Sequence, residues 1–172
     1  MTMRKVLNKA SILSVAAAFL FAGCGVYSFT GTSIQPDVKS VTIDFFENRA
    51  LKVNPSLSND LTEAIKLQFR KMTSLEQVEM DGDIEIAGNI TDYKISASAV
   101  TAEEVAAQNR LSITVKITFT NRKYPEEDFE KSFTQYADYD SQNTLEAVES
   151  GLCEEIVKLL VDDIFNATVA NW

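Results

Sequence analysis

The sequence predicts an α+β fold in which two helices pack on one face of a mostly antiparallel four-stranded sheet, in the order strand, helix, three strands, helix. Two segments place apolar residues at three- and four-residue steps, which indicates helices with one buried side. Strict alternation of apolar and polar residues over 110–121 indicates a strand with one buried and one solvated face. Packing both helices on that buried face removes all of these apolar stripes from water.

The first strand and the first helix are predicted within residues 41–72. Residues alternate over 41–46, and the face expected to meet the core carries Val41, Ile43 and Phe45. Asn54 and Pro55 indicate a helix start, because asparagine caps helices and a proline at the first helical position loses no needed N–H. The apolar stripe of this helix is formed by Leu57, Leu61, Ala64, Ile65, Phe69 and Met72.

A β-bulge is predicted in the next long strand. A short strand near 78–80 and a turn at 81–83 precede it. The alternation over 84–99 changes phase, first grouping Ile84, Ile86 and Ile90 and then Tyr93, Ile95, Ala97 and Ala99. A one-residue slip would send the later side chains to the wrong face, so the bulge is placed at Thr91–Asp92. Residues 100–109 are predicted to be a loop or a single helical turn.

The remaining elements are two long strands and the second helix. The strand at 110–121 is expected to bury Leu111, Ile113, Val115, Ile117 and Phe119. After a charged loop at 121–127, a strand ending near Asp140 is marked by Phe129, Phe133, Ala137 and Tyr139. Asn143 and Glu146 resemble a capping box at the start of the last helix. The wide stripe of that helix predicts deep burial and includes Leu145, Val148, Leu152, Ile156, Val157, Leu159, Leu160, Val161, Ile164 and Phe165.

The composition argues against several classes of function. The 172 residues include 16 Lys and Arg, 25 Asp and Glu and no His, which gives a formal net charge of −9. An acidic chain lacks the positive surface on which nucleic-acid binding depends. Without histidine, neither a Ser-His-Asp triad nor a His-ligated metal site can form. We therefore expect no histidine-dependent catalytic site and no metal site.

The first 24 residues are predicted to direct the chain to a membrane. A basic leader at 1–9 precedes an apolar run at 10–22 that is too short to span a bilayer as a helix. The run ends in Phe21, Ala22, Gly23 and Cys24. Small residues before a cysteine resemble a bacterial lipoprotein signal, which implies cleavage before Cys24 and acylation of its sulfur. The alternative is an ordinary secretory signal with a chance cysteine.

Three regions follow from this signal. Residues 1–23 are expected to be removed, residues 24–38 to form a lipidated tether, and residues 39–172 to form one α+β sandwich domain. No acidic residue follows Cys24 before Asp37, and in this the chain resembles lipoproteins of the outer membrane that face the periplasm. With Cys24 acylated, Cys153 is the one remaining thiol and is expected to be a small core residue.

Several segments carry a family resemblance. They are CGVYSFTGTSI (24–34), NRA (48–50), VNP (53–55), NRLSITVKITFTN (109–121), YADYD (136–140), DDIF (162–165) and NW (171–172). In this order they resemble the LptE-like lipopolysaccharide-assembly lipoproteins of Bacteroidetes. The resemblance implies a two-helix, four-strand sandwich without enzymatic activity or cofactor. It also implies an outer-membrane lipoprotein that sits within the lipopolysaccharide-translocating β-barrel, plugs it and supports its assembly.

Five residues are candidate contacts with such a partner. Arg110 and Lys116 lie on the solvated face of the predicted 110–121 strand, where they would meet acidic barrel groups or lipid phosphates; ordinary solvated charges are the alternative. Tyr136, Tyr139 and Trp172 are candidate interface aromatics, or else core or edge residues. The expected partners are the barrel, the membrane through Cys24 and, as a further candidate, lipopolysaccharide itself. The alternative function is a periplasmic lipoprotein that binds a lipid or small apolar ligand between helix and sheet, without an obligatory barrel partner.

Overall fold

The computed structural model describes residues 34–52, 54–98 and 108–169. In this part of the chain six strands and two α-helices follow one another: β1 (Ser40–Ile43), β2 (Glu47–Asn48), α1 (Leu57–Met72), β3 (Glu76–Gln77), β4 (Ile84–Ser98), β5 (Gln108–Asn121), β6 (Phe129–Asp140) and α2 (Leu145–Thr168). A 3₁₀ turn at Pro125–Glu127 connects β5 to β6. The α+β prediction is confirmed.

The sheet has six strands rather than the predicted four. Its order is β3-β1-β4-β5-β6, with β2 also paired to β4. The three long strands form an antiparallel meander, whereas β1 pairs in parallel with both β3 and β4. The additional strands, β2 and β3, have only two residues each, which is too short for an alternating pattern to reveal them.

The core lies between one face of the sheet and the two helices. Strand β5 supplies its centre, because every second side chain from Leu111 to Phe119 is buried. Helix α1 buries Leu57, Leu61, Ile65 and Phe69, and α2 buries most of its wide stripe, as predicted, whereas Met72 and Leu159 of the predicted stripes are exposed. Near their C-terminal ends the helices meet through the rings of Phe69 and Phe165, whose centroids are 5.2 Å apart in an edge-to-face arrangement.

The predicted bulge in β4 is confirmed. The register between β4 and β5 shifts between Ile90 and Asp92. Ile90 lies opposite Val115 and Tyr93 lies opposite Ile113, and all four side chains are buried. The extra residue therefore lets both Ile90 and Tyr93 face the core, as the change of phase in the sequence requires, whereas Ile95 and Ala97 farther along β4 are exposed.

The prediction for Phe45 was wrong. Phe45 is 58% exposed, whereas its neighbour Phe46 is fully buried. The reason is that β1 ends at Ile43 and the alternation does not continue beyond it. The backbone N–H of Phe46 donates to the hydroxyl of Thr62 at 3.1 Å, and its ring lies so close to Gly88 that an added Cβ there would be 2.6 Å from it.

Both helix starts and one strand differ in detail from the predictions. Helix α1 begins at Leu57 after a turn in which the side-chain oxygen of Asn54 accepts the N–H of Ser56 at 3.0 Å. The capping box at Asn143 is not formed, because α2 is preceded by Thr144 and no side chain caps it. The short strand expected near 78–80 lies at Glu76–Gln77.

Candidate interaction surfaces

The described residues that bear on function lie on surfaces of the two layers. Within 34–52, 54–98 and 108–169, no group of three or more His, Cys, Asp or Glu residues is placed to hold a metal ion. In the same part of the chain, no helix combines the length and the apolar character needed to cross a membrane. Two surface features remain for interaction: the open face of the sheet and a groove between the helices.

The open face of the sheet is the side of β4, β5 and β6 that the helices leave uncovered. This face carries a cluster of Arg110, Tyr136 and Asp138. The guanidinium of Arg110 donates two hydrogen bonds to the carboxylate of Asp138, at 2.7 and 2.8 Å. The same guanidinium stacks on the ring of Tyr136, with 3.7 Å between its carbon atom and the ring centroid.

The strand register explains this cluster. Arg110 lies directly opposite Asp138, and Tyr136 lies on the same face of β6, opposite Ser112. The bond from Arg110 lowers the pKa of the Asp138 carboxyl below its ordinary value and raises the pKa of the guanidinium. Tyr136 keeps 47% of its surface exposed. The result is an aromatic side chain that is held in place from one side and presented to solvent.

The other candidate base on this face, Lys116, is also paired. Its ammonium group lies 2.6 Å from the carboxylate of Glu130 on β6. Between the two ion pairs, the hydroxyls of Thr114 and Thr134 are hydrogen-bonded at 2.9 Å. Since each base has an acidic neighbour within the sheet, this part of the face has mixed charge rather than a positive field.

The other candidate contacts are placed differently. Tyr139 is 8% exposed and belongs to the core, the alternative already open to it from the sequence. Trp172 lies outside the described residues, as do Phe21, Ala22, Gly23 and Cys24. Of the segment predicted as a loop or helical turn, only Gln108 and Asn109 are described, and both belong to β5.

A polar cluster that the sequence did not reveal joins β4 to α2. The hydroxyl of Tyr93 donates to the carboxylate of Glu149 and lies 4.0 Å from the sulfur of Cys153. The side-chain amide of Asn54 donates to the same sulfur at 3.8 Å. Burial raises the pKa values of both the thiol and the phenol. Cys153 is therefore a buried thiol, which agrees with its predicted place in the core.

The helix groove lies along the seam between α1 and α2 and has a volume of about 960 Å³. Its floor includes Ala64, Leu67, Val157 and Val161, and acidic side chains from both helices line its rims. The space between helices and sheet, where the alternative function would place a ligand, is instead filled by side chains such as Leu61, Ile113 and Ile156 that are fully buried.

Comparisons with known proteins give one family match and several structural likenesses. A family model described as lipopolysaccharide-assembly, LptE, matches residues 38–168. A minor lipoprotein from Acinetobacter baumannii is similar in structure, with 16% identity, a TM-score of 0.48 and coverage of 74% of this chain and 89% of that one. A hypothetical protein from Chlamydia trachomatis has 9% identity, a TM-score of 0.49 and coverage of 75% and 96%. The rare lipoprotein B from Shewanella oneidensis has 10% identity, a TM-score of 0.45 and coverage of 75% and 90%. A search of curated proteins finds no match.

Proposed function

This chain belongs to the LptE family of lipopolysaccharide-assembly proteins, and we propose that it is a non-enzymatic outer-membrane lipoprotein that pairs with and plugs the lipopolysaccharide-translocating β-barrel. In that role it supports assembly of the barrel and insertion of lipopolysaccharide. The family match over residues 38–168 is the observation that carries the proposal. Membership of the Bacteroidetes branch stays a prediction from the sequence.

The proposed anchor is an acylated Cys24 at the periplasmic face of the outer membrane. Its support is the sequence of a basic leader, an apolar run and small residues before the cysteine. Each buried CH₂ of an acyl chain contributes about 0.8 kcal/mol of membrane affinity, so two or more chains hold a protein stably. At the far end of the proposed tether, Val38 is buried and the phenol of Tyr124 donates to Asp37 at 2.8 Å. The domain is thus attached directly to the tether that would link it to the membrane.

The proposed barrel contact is the open face of the sheet, with Arg110, Lys116 and Tyr136 at its centre. Tyrosine and arginine are enriched among the residues that dominate binding energy in protein interfaces. Because Arg110 already holds the ring of Tyr136, little side-chain freedom is lost when a partner covers it. The ion pairs of Arg110 and Lys116 favour a polar protein surface over bare lipid phosphates as the partner. Direct binding of lipopolysaccharide therefore stays a prediction. A contact through Trp172 also stays a prediction.

The first experiment is recovery of the native complex. Outer membranes that carry a C-terminally tagged copy are extracted in mild detergent, purified by affinity and identified by mass. We expect a large β-barrel at about one copy per tagged chain. Recovery of a lone lipoprotein, under conditions that preserve other envelope complexes, would contradict the proposal and favour the ligand-binding alternative.

A second experiment tests the contact surface. Tyr136→Ala is expected to lower recovery of the barrel without changing the melting temperature of the domain. Thr118→Ala is the matched control, because Thr118 lies on the same face of the sheet but farther along β5, opposite Glu130 rather than Asp138. Barrel recovery with Tyr136→Ala equal to that of the parent would remove the open face from the proposal.

A further inference from the structure

The helix groove has the shape of a docking site for a polypeptide segment. It opens along the seam of two helices rather than into the core, and Leu67 on its floor is 44% exposed. Gly151 lines its α2 side, and a Cβ added there would meet no atom within 4 Å. The groove therefore contains both apolar surface and room for another side chain.

The rims of the groove carry mainly negative charge. Seven acidic and two basic side chains line the groove. Among the described residues, Glu63 is paired with Lys66 and Glu149 is bound by Tyr93, whereas no salt bridge neutralises Asp60, Glu146 or Glu154. An occupant of this groove must bring positive charge to the rims and apolar side chains to the floor.

We propose that the helix groove binds a basic, amphipathic helical segment of a protein partner. Such a segment lays its apolar stripe into a groove and places lysine or arginine along both edges. This is a second docking surface, on the helix layer and thus on the other side of the molecule from the open face of the sheet. It does not depend on the barrel being the partner.

Other occupants fit the groove less well. A second copy would bring the same acidic rims, and residues 24–172 carry 13 basic against 25 acidic side chains, so two copies repel each other. Lipid phosphates are repelled for the same reason. A metal ion requires carboxylates that converge on one point, whereas those of the described groove follow the helices and form no such cluster.

The test uses site-specific crosslinking of the full chain in living cells. The photoreactive residue p-benzoylphenylalanine replaces Asn59 on the α1 rim or Ser150 on the α2 rim, and in a third strain it replaces Met80, which is 77% exposed and does not line the groove. The crosslinked peptide is then sequenced by mass spectrometry. We expect both rim positions, and not Met80, to crosslink to one protein segment with lysine or arginine beside an apolar helical stripe.

Two substitutions then test the groove itself. Gly151→Leu fills the open space, and Glu154→Lys reverses one rim charge; each is expected to lower the rim crosslinks about tenfold, because lost packing and like charges weaken docking. Glu76→Lys is the matched control, since it makes the same charge change on β3, outside the groove. Both positions in α2 are exposed, so the fold is expected to be retained, and circular dichroism verifies this for each variant.

The outcomes separate this proposal from the proposed function. Rim crosslinks to a second copy, to lipid, to a neutral or acidic segment, or no stronger than those from Met80, would overturn it. Equal losses with Glu154→Lys and Glu76→Lys would also overturn it. Recovery of the barrel in the same strains reports on the proposed function alone, because none of these substitutions lies on the open face of β4, β5 and β6.

Discussion

Replacing Phe46 and Phe45 in turn tests which of these two side chains, between β1 and β2, lies in the core. The two neighbours have the same side chain, but Phe46 is fully buried and Phe45 is 58% exposed. Phe46→Ala removes a ring that is packed against Gly88 and leaves a cavity in the core. Substitutions of this kind cost about 3–5 kcal/mol of folding free energy, whereas the exposed Phe45→Ala is expected to cost less than about 1 kcal/mol.

The assay is urea unfolding of both variants followed by circular dichroism. With a dependence of about 1–3 kcal/mol per molar urea, the midpoint for Phe46→Ala is expected to fall by more than about 1 M, while that of Phe45→Ala stays close to the parent. An equal fall for both variants, or a larger one for Phe45→Ala, would refute the placement of these two rings. A larger fall for Phe45→Ala would support the uninterrupted strand over 41–46 that simple alternation predicts.

Three further predictions concern single residues. Gly151→Ala is expected to stabilise the domain by about 1 kcal/mol, because alanine favours a helix more than glycine does and the added methyl meets no atom within 4 Å; a lower melting temperature would contradict this. Asp83 accepts the backbone N–H of Lys39 at 2.7 Å, and this bond lowers the pKa of its carboxyl below 3.8. The stabilisation that this bond provides is therefore complete above pH 3.8 and is lost as the pH falls through the lower folded-state pKa. Asp83→Asn is expected to lower the melting temperature at pH 7 but to melt at the same temperature as the parent in strong acid, which thermal melts at both pH values will test. Cys153 is expected to resist alkylation by iodoacetamide at pH 7 until urea unfolds the chain, because burial raises the pKa of its thiol; rapid alkylation of the native protein would show that the thiol is accessible.

The predictions from the sequence were correct where burial of one face of the sheet determined the pattern of residues. Strand β5 lies between two antiparallel neighbours with helices on one side only, so the alternation of Leu111 through Phe119 directly records burial. The bulge in β4 was visible for the same reason, because without it the side chains of Ile90 and Tyr93 could not both face the core. The stripes of both helices follow from their contact with this sheet.

The predictions from the sequence were wrong or incomplete where the deciding contact joins residues far apart in the sequence, or where the element was short. The burial of Phe46 depends on Thr62 and Gly88, which approach it only in the folded chain. The face of Arg110 and Lys116 was predicted, but their partners on β6 follow from the register of two strands and not from local spacing. The helix groove is created by the way α1 and α2 lie beside each other, which no periodicity in either helix specifies.

The two surfaces differ in how they treat charge, and this difference bears on their roles. On the open face of the sheet, Arg110 and Lys116 are each neutralised by an acidic neighbour, so a partner there meets polar groups already in place and the exposed ring of Tyr136. In the helix groove, acidic side chains such as Asp60 and Glu154 form no salt bridge among the described residues, so a partner can supply the positive charge that pairs with them. Binding at the first surface should depend mainly on shape and packing, and binding at the second mainly on electrostatic attraction that salt weakens. The two surfaces lie on opposite layers of the fold, so one for stable seating and another for a salt-sensitive segment is an arrangement that this two-layer fold supports.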